Sequence, residues 1–271
     1  VLRDDQLEPA YKAEFISLPG EGEIAREIGQ NVNPENIHKA KQMLLSGISK
    51  DIHAGLEEAY KTHANRGKYT ATAKSVGKRS LRNQCLSLLA ASGSREDMVL
   101  VVDHYKKAKN LTDKMAALSI LTHSNSEERE EIFEHFYEEF KDDHLVLDKW
   151  FSLQAMSSGK DTIEKIRALK KHPKFSLKTP NRVRSLIAFF AQSNTMHFNC
   201  ASGEGYRLVA ETVLELDSFN PQIAARLCGA FRSWRIMEPG RQKQAKMQLE
   251  IIAEHKKLSR DTYEIVTKTL G

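Results

Sequence analysis

Apolar residues in this chain recur every three or four positions and almost nowhere alternate. That period puts a stripe on one face of an α-helix, whereas a half-buried strand needs a period of two. Leu81, Cys85, Leu88 and Leu89 form one stripe. Tyr206, Val209, Ala210 and Val213 form a second, and Ile223, Leu227, Ala230, Phe231 and Trp234 a third. The one strand-like run, Met98-Val99-Leu100-Val101-Val102, follows Ser94-Arg95-Glu96-Asp97. There Ser94 can cap a helix and Asp97 can reach back to it, so the run reads as one face of a short buried helix.

Helix starts are frequent. Asn33-Pro34-Glu35, Thr179-Pro180 and Asn220-Pro221 each place a capping residue before a proline, whose missing N–H costs nothing in the first turn. Thr112-Asp113, Ser126-Glu127-Glu128 and Ser259-Arg260-Asp261 read as further caps with acid in the first turn. Short polar breaks separate the segments, as in stacked helix pairs. The expected fold is therefore all-α, a superhelix of antiparallel helix pairs of the HEAT or armadillo kind. It is expected to form one domain over residues 1–271, although no strict repeat period marks it. A length of 271 residues with 40% hydrophobic and 28% charged residues supports a sizeable core. The least helical stretch, Asn194 to Gly205, reads either as a functional or connecting loop or as a plain surface loop.

Several classes of chemistry find no support. The ten histidines never form His-Glu-x-x-His, so the helical zinc-hydrolase motif is missing. His135 and His144 lie in an acidic stretch but nine residues apart, as surface histidines do. No Gly-rich loop ends in Gly-Lys-Ser/Thr and no Gly-x-Ser-x-Gly elbow occurs. Gly203-Glu204-Gly205 is too short for a dinucleotide fingerprint and follows no strand. Cys85, Cys200 and Cys228 are far apart with no Cys-x-x-Cys pair, which suits reduced, buried thiols in a reducing compartment. The chain opens on Val1-Leu2-Arg3-Asp4-Asp5, charged at once and without methionine, and no long apolar run follows. It reads as a fragment or processed chain without a signal peptide or membrane span, in the cytoplasm.

Two charge blocks stand out. Residues Glu127 to Asp143 are acid-rich with Phe133, Phe136, Tyr137 and Phe140 interleaved, an amphipathic helix with a solvated acidic face. Lys165 to Arg184 is basic, but only Phe175 stands among the charges as a base-stacking platform. The overall excess of 41 Lys and Arg over 36 Asp and Glu, +5, does not demand nucleic acid or an anionic membrane. After Asn220-Pro221 a second stripe runs Gln222, Arg226, Gly229, Ser233, polar and small together. Arg226 there suits a carboxylate or a peptide carbonyl. Spacing alone serves as well an arginine that packs its stem and ties down a neighbouring helix.

Seven segments in this order and spacing resemble one family across essentially the whole chain. They are Lys78-Arg79-Ser80-Leu81-Arg82-Asn83, Asn110-Leu111-Thr112-Asp113, Asp148-Lys149-Trp150-Phe151-Ser152-Leu153-Gln154, Pro180-Asn181-Arg182-Val183-Arg184-Ser185-Leu186, Gly203-Glu204-Gly205-Tyr206, Asn220-Pro221-Gln222-Ile223-Ala224-Ala225-Arg226 and Leu258-Ser259-Arg260-Asp261. The set is similar to the C-terminal helical domain of the bacterial aminopeptidase N family, zinc aminopeptidases of the M1 class. The resemblance implies a superhelical cap on a catalytic domain of the same polypeptide, limiting access to short peptides. The zinc ion and its ligands, the catalytic glutamate and tyrosine, and the amine-binding Gly-x-Met-Glu-Asn segment would lie in that earlier domain. This chain would then hold no cofactor and no catalytic residue, and would be inactive alone. By motif match, Arg184, Gln222 and Arg226 would face the peptide at the cavity wall, and Asn181 would either touch substrate or only cap a helix. The expected partners are the catalytic domain and a peptide, with no nucleic acid and no membrane. The rival expectation is a free-standing HEAT-like scaffold that binds a protein or nucleic acid on a concave face, with the basic run as its best feature.

Overall fold

The computed structural model of the chain describes residues 1–64, 67–124 and 126–271, without the side chain of Glu127. The chain is all-α. In order come α1 (Pro9–Phe15), α2 (Glu21–Ile28), α3 (Pro34–Thr62), α4 (Ala73–Ala90), α5 (Arg95–Lys107), α6 (Leu111–Leu121), α7 (Glu127–Phe140), α8 (His144–Ala155) and α9 (Thr162–Leu169). They are followed by α10 (Pro180–Val183), a π-helical turn (Arg184–Ala188), α11 (Phe189–Ser193), α12 (Thr195–Phe198), α13 (Glu204–Asp217), α14 (Pro221–Cys228), a 3₁₀ segment (Gly229–Ile236), α15 (Pro239–Ala253) and α16 (Arg260–Leu270). Val32 and Met237 form an isolated parallel bridge, and the described residues hold no strand.

The chain divides into two compact units. The first comprises residues 1–19 and 39–133. In it α1 packs on α4, and α4, α5 and α6 pack on one another around Leu56, Leu81, Cys85, Leu88, Leu89, Leu118 and Leu121, all of them buried. The second comprises residues 20–38 and 134–271. There α13 and α14 pack together, α15 packs on α13, and α16 packs on both α14 and α15. Its core carries a run of edge-on rings: Phe198 lies 5.1 Å from Tyr206 and 5.4 Å from Phe231, centroid to centroid. Such T-shaped contacts suit the ring quadrupoles and add to the area buried.

The caps follow the sequence with three exceptions. Asn33, Ser94, Asn220 and Ser259 each accept a backbone N–H of the first turn, as expected. Asp97 reaches back to the Ser94 hydroxyl at 2.8 Å. Thr112 is no cap: Asn110 caps α6, accepting from Asp113 N at 3.0 Å, and Thr112 lies inside the helix. The earlier asparagine wins because its side chain bonds the N3 amide from an extended backbone. Thr179 makes no side-chain cap bond, so Pro180 alone marks that start. The Ser126 hydroxyl, expected to cap α7, is buried without a hydrogen-bond partner among the described residues, and the Glu127 side chain lies outside them.

The Asn194–Gly205 stretch is neither of the loops expected. It contains α12, and Asn194, Thr195, Phe198 and Asn199 are buried. Asn194 Nδ2 donates to the carbonyls of Ala155 and Ser157, both at 2.9 Å. Asn199 Oδ1 accepts from Tyr206 Oη at 2.9 Å. Its polar residues therefore satisfy buried backbone rather than face water.

Candidate functional site

Asn181 and Arg184 stand at the start of α10 and of the π-helical turn. Both are exposed, and Arg184 Nη1 donates to Asn181 Oδ1 at 3.1 Å. The π turn is a local widening often found where a helix serves a function. Between them Arg182 behaves oppositely. It is buried, pairs with the Asp148 carboxylate, donates from Nε to Lys174 O at 3.0 Å, and lies 5.4 Å over the Phe151 ring. Arg182 thus ties the Pro180 segment to α8, while Arg184 points its charge to solvent.

Gln222 and Arg226 lie four residues apart on α14, hence on one face, and both are exposed. Neither makes a hydrogen bond or ion pair among the described residues. The stripe expected to continue through Gly229 and Ser233 does not, because both fall in the 3₁₀ segment. At three residues per turn, a face counted at 3.6 drifts away. No hydrogen bond among the described residues joins the Asn181–Arg184 pair to Gln222 or Arg226.

The basic run is largely neutralised locally. Lys165 pairs with Asp161 at 3.1 Å, Arg167 with Glu211 at 2.7 Å, Lys170 with Glu215 at 3.0 Å and Lys174 with Asp142 at 2.9 Å. Arg182 is taken by Asp148, which leaves Lys171, Lys178 and Arg184 without an ion pair among the described residues.

Two buried anchors were not legible in the sequence. Arg241 on α15 is buried and pairs with Glu35 and Glu238, and donates to Asn199 O. Asp217, at the end of α13, accepts from Ser259 N at 2.7 Å and from the hydroxyls of Ser259 and Thr262. Burial alone would raise its carboxyl, but these hydrogen bonds together outweigh burial and hold it below the usual range. Three donors on one carboxylate signal a helix joint rather than a catalytic acid.

Among the described residues no three His, Cys, Asp or Glu side chains come together to hold a metal ion. Nor is any described helix long and apolar enough to cross a membrane.

Helices packed on one another within each unit, with no strand among the described residues, suit an ARM-repeat class of domain. The chain belongs to the family described as "Domain of unknown function (DUF3458_C) ARM repeats", whose model matches residues 1–271. It is 34% identical over 272 residues to aminopeptidase N of Caulobacter vibrioides, covering all of this chain and 31% of that protein. It is 33% identical over 271 residues to aminopeptidase N of Escherichia coli, again covering all of this chain and 31% of the relative. In the solved structure of Legionella pneumophila aminopeptidase A in complex with aspartic acid, a region matches 99% of this chain and makes up 32% of that chain. The TM-score is 0.91 and the identity 28%. The chain thus spans about a third of the length of the relatives it matches. These similarities fit a C-terminal domain of an M1 aminopeptidase.

Proposed function

We propose that this chain is the capping and substrate-access domain of a cytoplasmic, zinc-dependent aminopeptidase that removes N-terminal residues from peptides. The observation that carries the reading is the match of the entire chain to aminopeptidase N at 33–34% identity. In this reading residues 1–271 act as one functional region, zinc chemistry belongs to the catalytic domain, and the chain alone hydrolyses nothing. Exposed Arg184 and Arg226, with Asn181 and Gln222 beside them, receive the far end of the peptide. An unpaired guanidinium is a bidentate partner for a terminal carboxylate. Such groups act on binding more than on chemistry.

The test is an aminoacyl chromogenic assay of the chain alone and of the chain joined or mixed with a catalytic domain, with zinc content read in parallel. Silence alone and activity gained or reshaped in the combination supports the reading. Zinc-dependent hydrolysis by the chain alone overturns it. The scaffold alternative draws less support, because most charges of the basic run are engaged in ion pairs.

A further inference from the structure

The first unit carries a half-open cavity of about 430 Å³ between α4, α5, α6 and the segment before α4. That is within the range of small-molecule sites, about 300–1,000 Å³. Lys68, Arg82, Lys107 and Lys109 line it against a single carboxylate, Asp113. Lys107 is held by Asp103 at 2.6 Å, but Lys68 and Lys109 are exposed and have no ion pair among the described residues.

Its inner wall is a relay of buried polar groups. Arg82 Nη2 donates to Tyr60 Oη at 3.1 Å, and its guanidinium lies 4.6 Å over the Tyr60 ring. Tyr60 Oη lies 2.9 Å from His104 Nδ1. Tyr60 accepts from Arg82 and exchanges its second hydrogen bond with His104, in which either the hydroxyl or the imidazole supplies the proton. The His104 side chain is 0% exposed, and its Nε2 stands 3.9 Å from Asp113 Oδ1, beyond hydrogen-bond reach. Asp113 is already engaged, by Asn83 Nδ2 at 3.2 Å and Asn110 Nδ2 at 2.8 Å.

Arg82 Nε is a buried donor without an acceptor among the described residues, and His104 Nε2 beside it has no hydrogen-bond partner there either. An orphaned buried donor costs about 1–3 kcal/mol, and native structures keep few without a reason. A wall rich in donors, with three lysines and an arginine against one occupied carboxylate, lacks an acceptor of negative charge. We propose that this cavity binds a small oxyanion, a phosphate or a carboxylate group, received by Arg82 with Lys109 and Lys68 at its exposed side. Helix-tying alone explains the Tyr60–His104 bond but not the room, the excess charge or the unmet Arg82 donor. The inference does not depend on the aminopeptidase reading.

Calorimetric titration of the folded chain tests it, with inorganic phosphate in one arm and N-acetyl-dialanine, a peptide carboxylate, in the other, both at constant ionic strength. Saturable one-site binding in either arm is the expected result, and the tighter arm identifies the ligand's source. The double variant Lys68→Glu/Lys109→Glu changes only exposed side chains. It should keep its helical circular dichroism and weaken the winning probe by about tenfold or more. No saturable heat in either arm overturns the proposal. So does an equal response to chloride, or binding that the double variant leaves unchanged.

Discussion

Single residues divide by what surrounds them more than by what they are. Cys85 and Cys228 are fully buried, and burial pushes both thiols up to about 12. Cys200 departs from the expectation of a buried thiol: it is partly exposed, 3.3 Å from Ser202 Oγ. The thiolate is the nucleophile, so reactivity follows access and pKa. With a chromogenic disulfide at mildly alkaline pH, one thiol should react in the folded chain and all three after unfolding. Gly205 shows the same dependence on surroundings. A Cβ there would collide with the backbone oxygens of His197 and Phe198, where α13 starts against α12. Backbone cannot give way as a flexible side chain does. Gly205→Ala should therefore cost about 3 kcal/mol or more in urea unfolding, although alanine is the better helix former. The Gly203-Glu204-Gly205 segment thus has a packing role: Gly203 takes a left-handed φ of 78° and Gly205 allows the close approach.

Between elements, buried polar joints decide how helices seat. Asp217 holds the start of α16 through Ser259 and Thr262. Asp217→Ala leaves those donors unmet and should destabilise the chain by about 2–4 kcal/mol, with α16 the first element to lose hydrogen-exchange protection. His104 sits among α3, α4, α5 and α6, and its imidazole is pushed down from 6.5 to about 4. Burial is the main cause and the Arg82 charge adds to it, while Asp113 opposes both. Between those values the unfolded chain binds a proton that the folded chain refuses. Stability is therefore full above pH 6.5 and is lost as pH falls towards 4, by about 3 kcal/mol from this residue. Urea unfolding from neutral pH to pH 5 should show a smaller loss in His104→Gln than in the parent chain. The amphipathic pattern of the acid-rich α7 was legible: Phe133 and Phe136 are buried, and Glu131, Glu134, Glu138 and Glu139 are exposed. Its period carries the information because one face alone is wet.

At the scale of the whole molecule, the all-α class and the family were both legible before any coordinates, from stripes, caps and seven ordered segments. The peptide-facing role of Arg184 and Arg226 is tested in the assembled enzyme. Arg184→Ala and Arg226→Ala should each raise KM by about three- to tenfold with kcat nearly unchanged, as loss of uniform binding predicts. Added salt should weaken peptide capture in the parent enzyme more than in the double variant, because exposed charges are screened.

The sequence by itself determined that the chain is helical, where several of its helices start, and which face of the striped ones is dry. Those properties depend on residues within a turn or two of one another, and period and capping chemistry record them directly. Only the tertiary structure decided that Arg182 is an internal anchor while Arg184, two residues on, is exposed. It alone paired Arg241 with Glu35, ended the Gln222–Arg226 stripe in a 3₁₀ turn, and set Arg82 and His104 at a charged cavity. The contacts of Arg182, His104 and Arg241 reach partners 34 to 206 residues away in the chain. A charge reads the same in sequence whether its partner is water or a buried carboxylate, and only packing tells the two apart.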